Sequence, residues 1–287
     1  MDILDYAFMQ RALIAAALVG ITAPAIGTYL VQRRQALMGD GLGHVAMTGV
    51  ALGFVLQTSP VWMATLVAVV GAVGMELIRA RGRTSGDVAL AMLFYGGLAG
   101  GVMIINLGGG QTASLLGSMF GSITTVAGED VTAMAILAAF VLAVAVGLRR
   151  QLFAVCQDEE FARVTGLPVR ALNLLIAVTA AVTVTVAMRI VGLLLVSAML
   201  VIPVAAAQRL TRSFATTLGL AMAISVTVSL TGTAATYYIN VPSGATIVLL
   251  AIGVFMVLTA LSAPLARRRA RASLAAEEVC TRDDVKV

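Results

Sequence analysis

The sequence predicts an all-α, polytopic membrane protein with about nine transmembrane helices, or eight if one short link is re-entrant. Three observations predict it. The 287 residues are 60% hydrophobic and only 11% charged, where a soluble domain carries about twice that charged fraction. The apolar residues fall in unbroken runs of roughly 18 to 24, enough to cross a ~30 Å hydrocarbon core as helices, and they do not alternate as barrel strands do. The arginines gather in every second loop.

The spans are expected near 7–31, 40–57, 61–79, 87–106, 131–148, 170–188, 190–208, 214–237 and 244–263. Arg33 and Arg34 follow the first. Arg79, Arg81 and Arg83 follow the third. Arg149, Arg150, Arg163 and Arg170 surround the loop after the fifth, Arg209 and Arg212 follow the seventh, and Arg267, Arg268, Arg269 and Arg271 follow the ninth. The loops near 58–60, 107–130 and 238–243 carry no arginine or lysine, and only Arg189, in the tight link between spans six and seven, breaks the pattern. The positive-inside rule then puts the N-terminus outside and the C-terminus in the cytoplasm, in a multi-pass protein of the plasma membrane. Residues 1–265 read as the membrane domain and 266–287 as a charged, disordered cytoplasmic tail.

The formal charge of +5 belongs to these helix ends, so lipid is the expected partner and nucleic acid is not. The N-terminus lacks the basic region of a cleavable signal peptide. Cys156 and Cys280 are far apart and both fall in expected cytoplasmic segments, which argues against a disulfide or a cysteine metal site.

The chemistry concentrates in "MGDGLGHVAMTGVALGF", residues 38–54, which holds the only histidine, His44, four residues after Asp40. An i, i+4 spacing places both on one helix face, and an imidazole with a carboxylate suits a borderline divalent cation. His44 stands ten residues beyond Arg34, about 15 Å along a continuous helix, which would put it near the bilayer midplane. Ionisable groups there mark ion paths. Two side chains are few for a tight site, so a transient or second-subunit-completed one is the modest form. Equally open is a structural role, with Asp40 capping the helix and His44 bonded to a neighbouring helix. Gly49 and Gly53 form a GxxxG pair suited to close helix approach. No strand precedes the glycines, so a dinucleotide fingerprint is rejected.

Other acids have plainer readings. Glu76 is expected to pair with Arg79 or Arg81. Asp87 starts span four, and Glu129 and Asp130 start span five, as N-terminal stabilisers; the latter two could also draw cations to the outer mouth. The glycine-rich 106–122 reads as outer loop with a short re-entrant helix, available to a docking protein or simply turn chemistry.

Five segments resemble, in order, those of the permeases of zinc and manganese ABC importers. They are "GDGLGHVAMTGVALGF" at 39–54, "SGDVALAMLFYGGLAGGVMI" at 85–104, "SLLGSMFGSITTVAGEDV" at 114–131, "DEEFARVTGLPVRALN" at 158–173 and "VGLLLVSAMLVIPVAAAQRLTRS" at 191–213. The resemblance covers about residues 10 to 263. It implies a fold related to type II importer permeases and a second copy of the chain around the translocation path. It also implies a cytoplasmic ATP-binding subunit and an extracytoplasmic metal-binding protein. Asp40 and His44 match the family's paired polar residues of the metal path or its gate. Gly43 departs, since many members carry serine there.

No Walker A loop can be written here, because Lys286 is the only lysine. The chain therefore reads as a transport subunit, not an enzyme, with no resident cofactor and Zn2+, or Mn2+, as cargo; iron also stays open. Two segments are candidates for the ATPase contact: 149–170, and the stretch Gln208, Arg209, Leu210, Thr211, Arg212, Ser213, which the resemblance favours. The arginines of both could equally serve topology alone. Pro203, inside span seven, is expected to be a hinge, or else a static kink. An ion-coupled carrier would need a counterpart of Asp40–His44 in the second half, and none is found. An intramembrane hydrolase would need more ligands than the chain offers.

Overall fold

The helices of this chain end where backbone geometry, more than proline, makes them end. In the computed structural model, which describes residues 6–81, 86–108, 128–239 and 241–261, every described element is helical. They are α1 (Ala7–Gln32), α2 (Met38–Val55), α3 (Pro60–Ala80), α4 (Gly86–Leu107), α5 (Gly128–Gly147), α6 (Arg149–Gln157), α7 (Glu159–Val164), α8 (Val169–Val191), α9 (Leu193–Leu210), α10 (Phe214–Ile239) and α11 (Ser243–Leu261). Nine of these follow the nine expected spans in order. The other two, α6 and α7, lie within 149–170, the segment the sequence reads as a cytoplasmic loop.

Three helices close in the same way, with a left-handed residue and paired backbone bonds that satisfy the last carbonyls. After α7 the left-handed residue is Gly166, with φ 84°. After α2 it is Gln57 (φ 52°), and after α1 it is Arg34 (φ 59°). Arg34 N–H donates to Val31 O at 3.1 Å and Gln35 N–H to Leu30 O at 2.8 Å, which turns the chain in five residues into α2. α3 starts on Pro60, whose missing N–H costs nothing at that position.

Among the described residues, six helices are long and apolar enough to cross a membrane: α1, α3, α4, α8, α10 and α11. α5 joins them if taken together with α6, which is bent away by 68°. α2 has the length, but Asp40, His44 and its glycines dilute its apolarity. α9 is apolar from Leu193 to Ala207 and turns polar only at Gln208 and Arg209, in its last turn. α8 and α9 are separated by one residue, Gly192, whose φ of 86° suits glycine; the link between these spans is there and not at 189.

α8 forms the hub. It touches α1, α2, α3, α5 and α9. On one side α2 packs on α3 and α4; on the other α1 packs on α10, α9 and α5. α1 and α8 are 72% and 78% buried over their apolar windows, against 22–33% for α3, α4, α10 and α11. The first helix of the chain thus lies in the core, with Ile26, Tyr29 and Leu30 beside Leu42, Ile176 and Leu200. Tyr29 Oη donates to Ala145 O at 2.5 Å and ties α1 to α5. Hydroxyls inside helices mostly bond back to the preceding turn, as Thr28 does to Pro24 O at 2.7 Å.

Several expectations lie outside the described residues: the tail 266–287 with Cys280 and Lys286, and, beyond residue 108, the loop and re-entrant helix expected over 106–122. The side chains of Asp87, Glu129, Asp130 and Arg189 are likewise outside them.

Candidate functional site

α2 begins at Met38, after the turn of residues 33–37. This corrects the expected depth of the polar pair. No continuous helix runs from Arg34 to His44. His44 is six residues into α2, about 9 Å from its start at 1.5 Å per residue, and Asp40 is in the first turn. The pair therefore sits in the first half of α2, nearer its arginine-bearing end.

Asp40 does not cap α2. The N-cap position is Leu37, and no side chain bonds the free N–H groups of the first turn. Asp40 is partly exposed, while His44 is only 5% exposed. α4 covers the histidine. The Phe94 ring stands edge-on to the imidazole at 4.3 Å between centroids. One turn on, Gly97 lies against the α2 backbone so closely that a Cβ there would be 2.6 Å from Val45 N and 2.7 Å from His44 C. Thr48 Oγ1 donates to Gly97 O at 2.6 Å and pins the crossing.

His44 Nδ1 is buried with no hydrogen-bond partner among the described residues. The alternative in which His44 bonds a neighbouring helix through Nδ1 is thus not what the structure contains. An orphaned buried polar group costs about 1–3 kcal/mol, which a cation at that nitrogen would recover. On the α9 side, Ser197 Oγ is also buried without a partner, 3.5 Å from where a Cβ on Gly39 would stand. Sequence reasoning missed Ser197 and Phe94, because neither stands out until α9 and α4 are laid against α2. Gly43 faces Leu193, and any side chain there would meet the Leu193 methyl. Gly49 and Gly53 admit α3 at Ala64 and Pro60.

Among the described residues no three His, Cys, Asp or Glu side chains gather as a metal set. Asp40 and His44 are two potential ligands about one helical turn apart on α2.

At the arginine-bearing end, a carboxylate on α7 gathers three elements. Glu159 accepts from Arg33 at 2.8 Å, from Arg79 at 3.1 Å and from Asn173 Nδ2 at 3.2 Å. Arg79 also makes a two-pronged contact with Glu76 at 2.9 and 3.0 Å, the pairing expected from sequence. Burial works to raise the Glu159 carboxyl, but the Arg79 charge and hydrogen bond, the Arg33 charge and the Asn173 amide outweigh it and hold it below the usual carboxylate value. Asp158 caps α7, accepting from Glu160 N–H at 2.9 Å and Phe161 N–H at 3.0 Å. The free side of α7 exposes Phe161 and Val164, 64% and 86% accessible.

The other candidate contact segment is the tip between α9 and α10. Gln208, Arg209 and Leu210 end α9 exposed, Arg212 and Ser213 are exposed in the turn, and Thr211 Oγ1 bonds Thr217 Oγ1 across it at 2.7 Å. Pro203 is buried inside α9, which continues through it.

A family model described as the ABC 3 transport family matches residues 5–262. A manganese transport system membrane protein, MntC, of Halalkalibacterium halodurans is 31% identical over 88% of this chain and 87% of that one. A probable iron transport system membrane protein of Haemophilus influenzae is 31% identical over 90% and 95%. Among solved structures, PsaBC from Streptococcus pneumoniae in complex with Fab superposes with a TM-score of 0.80 at 30% identity, covering 89% of this chain and 92% of that one.

Proposed function

The chain belongs to the ABC 3 transport family, and on that premise we propose that it is the membrane permease of an ATP-driven importer for a divalent transition metal. The observation that carries the cargo reading is the buried, unpartnered Nδ1 of His44, one turn from Asp40 at the α2–α4 crossing. A buried imidazole nitrogen with no partner among the described residues, one turn from a carboxylate, suits a cation. Asp40 supplies charge and an oxygen ligand near the arginine-bearing end. His44 supplies a nitrogen ligand deeper in, and Phe94 and Gly97 fix its position. Having only two protein ligands lets the ion leave again.

Zinc is the ion an imidazole–carboxylate pair favours by ligand chemistry. Manganese and iron are what the two relatives named above are said to transport. The reading of the cargo is a divalent first-row metal, with zinc the finer proposal.

The permease works as two copies around the path, with its N-terminus outside and its C-terminus in the cytoplasm. A separate subunit hydrolyses ATP, and an extracytoplasmic protein delivers the metal. For the ATPase contact, 208–213 remains the proposed segment. The exposed apolar side chains of α7, held by the Glu159 ion pairs, support 158–164 as a second contact. Pro203 is proposed as the hinge above 208–213.

The test is zinc, manganese and iron uptake by proteoliposomes holding the permease, its ATPase and its binding protein. His44→Ala and Asp40→Ala are expected to abolish uptake while the complex still assembles, and the ion that competes best names the cargo. Unchanged uptake in both variants would refute the role of the pair.

A further inference from the structure

Between the α1–α2 turn and the ends of α3 and α4 lies a cavity of about 320 Å³, within the size range of ligand pockets. Its polar wall carries three guanidinium groups, Arg33, Arg34 and Arg79. Its other wall is apolar, with Leu37, Met38 and Met75. Two of the cations are already matched, since Arg33 and Arg79 share Glu159, and Arg79 also holds Glu76. Arg34 has no carboxylate within ion-pair distance among the described residues and is exposed at the rim.

Arg34 is also where the backbone takes the left-handed conformation that closes α1, with φ 59°. Glycine or asparagine would hold that conformation more cheaply. A bulky residue in such a conformation is an outlier that invites a functional explanation. Here the outlier aims an unmatched cation across a half-apolar cavity at a helix end. Leu37, at the rim, is 69% exposed.

We infer that this cavity binds a phosphate-bearing anion, with the phosphate on Arg34, supported by Arg33 and Arg79, and any apolar part against Leu37, Met38 and Met75. A guanidinium matches phosphate oxygens in a two-pronged contact. Basic pockets at the ends of transmembrane helices suit anionic lipid headgroups. The phosphate could come from an anionic phospholipid of the adjacent leaflet or from a free phosphate species. Neither Asp40 nor His44 lines the cavity, and its occupant would brace the turn from which α2, with Asp40, departs.

The experiment uses the purified full chain, delipidated in detergent, and measures binding by native mass spectrometry and by thermal shift. Phosphatidylglycerol and inorganic phosphate are the two probes. The variants are Arg34→Gly, which keeps the left-handed turn at no strain while removing the cation, and Arg34→Gln. One phosphatidylglycerol per chain, bound about fivefold or more weakly by both variants, supports the site with lipid as its source. Saturable binding of inorganic phosphate, lost in both variants, supports it with a free phosphate species as the source. Equal binding of each probe by wild type and Arg34→Gly, or binding of neither probe by wild type, overturns the inference. Arg34→Gly is expected to stay folded, so a loss of binding there is a loss of the cation.

Discussion

Gly96 and Gly97 are neighbours on α4 whose replacement by alanine should have opposite effects. At Gly97 a Cβ would stand 2.6 Å from Val45 N and 2.7 Å from His44 C. Comfortable contacts are about 3.5–4.0 Å, so α4 must back away by about 1 Å. The obstruction is backbone, which has no rotamer to yield. Overpacking of this kind costs about 1–3 kcal/mol. The same movement stretches the 2.6 Å bond from Thr48 Oγ1 to Gly97 O, worth about 0.6 kcal/mol between membrane helices. Set against the gain of up to about 1 kcal/mol in helix propensity, the expected net loss for Gly97→Ala is about 1–3 kcal/mol. At Gly96 a Cβ meets nothing within 4 Å, and alanine should leave stability unchanged or raise it by up to about 1 kcal/mol from helix propensity. Reversible unfolding of the full chain in mixed micelles, titrated with a denaturing detergent, separates the two. The reasoning fails if Gly97→Ala unfolds at or above the wild-type midpoint, or if both variants shift alike. Gly97→Ala should also lower metal uptake, since it displaces the His44 backbone.

Two further outcomes follow from the arginine-bearing end. Glu159→Gln leaves Arg33 and Arg79 without their shared carboxylate, and should cost about 1 kcal/mol, since Glu159 is 35% exposed and solvent screens the pairs. Because the folded carboxyl lies below its ordinary value of about 4.3, its contribution is complete above that pH and is lost as pH falls through the lower folded value. Wild type should therefore lose stability in that window and Glu159→Gln should not, as unfolding midpoints measured from pH 6 down to pH 3 would reveal. Cys156 is buried, and burial, with the Glu159 charge and against the Arg33 charge, pushes its thiol up to about 12. In a Cys280→Ser background a maleimide at pH 7 should label the native protein slowly and the unfolded one fast. Equal rates would contradict the burial of α6 against α1 and α8.

The helices were legible because a chain in hydrocarbon must satisfy its own backbone over some twenty apolar residues, and that signature survives in sequence alone. Asp40 and His44 were legible as residues, since an ionisable pair in an apolar run stands out. Their depth was not. It depended on Arg34 taking a conformation that sequence assigns to glycine, which ends α1 two turns before the pair. The environment of His44 was also hidden, because Phe94 and Gly97 come from another helix. Of the ion network, the Glu76–Arg79 pair three residues apart could be read. Glu159 could not, since its partners at 33, 79 and 173 meet only after α7 folds back under the bundle.

The burial of α1 sets a timetable for synthesis. Its partners α5, α8, α9 and α10 all emerge later, and the last of them ends at Ile239. At about 5–20 residues per second, the roughly 200 residues after Gln32 take on the order of 10–40 s to appear. Until α5 emerges, a helix destined for the interior waits in lipid, and until α10 does, one of its faces stays uncovered. A chain halted before α10 would thus leave its first helix short of the last of its partners, a natural mark for membrane quality control.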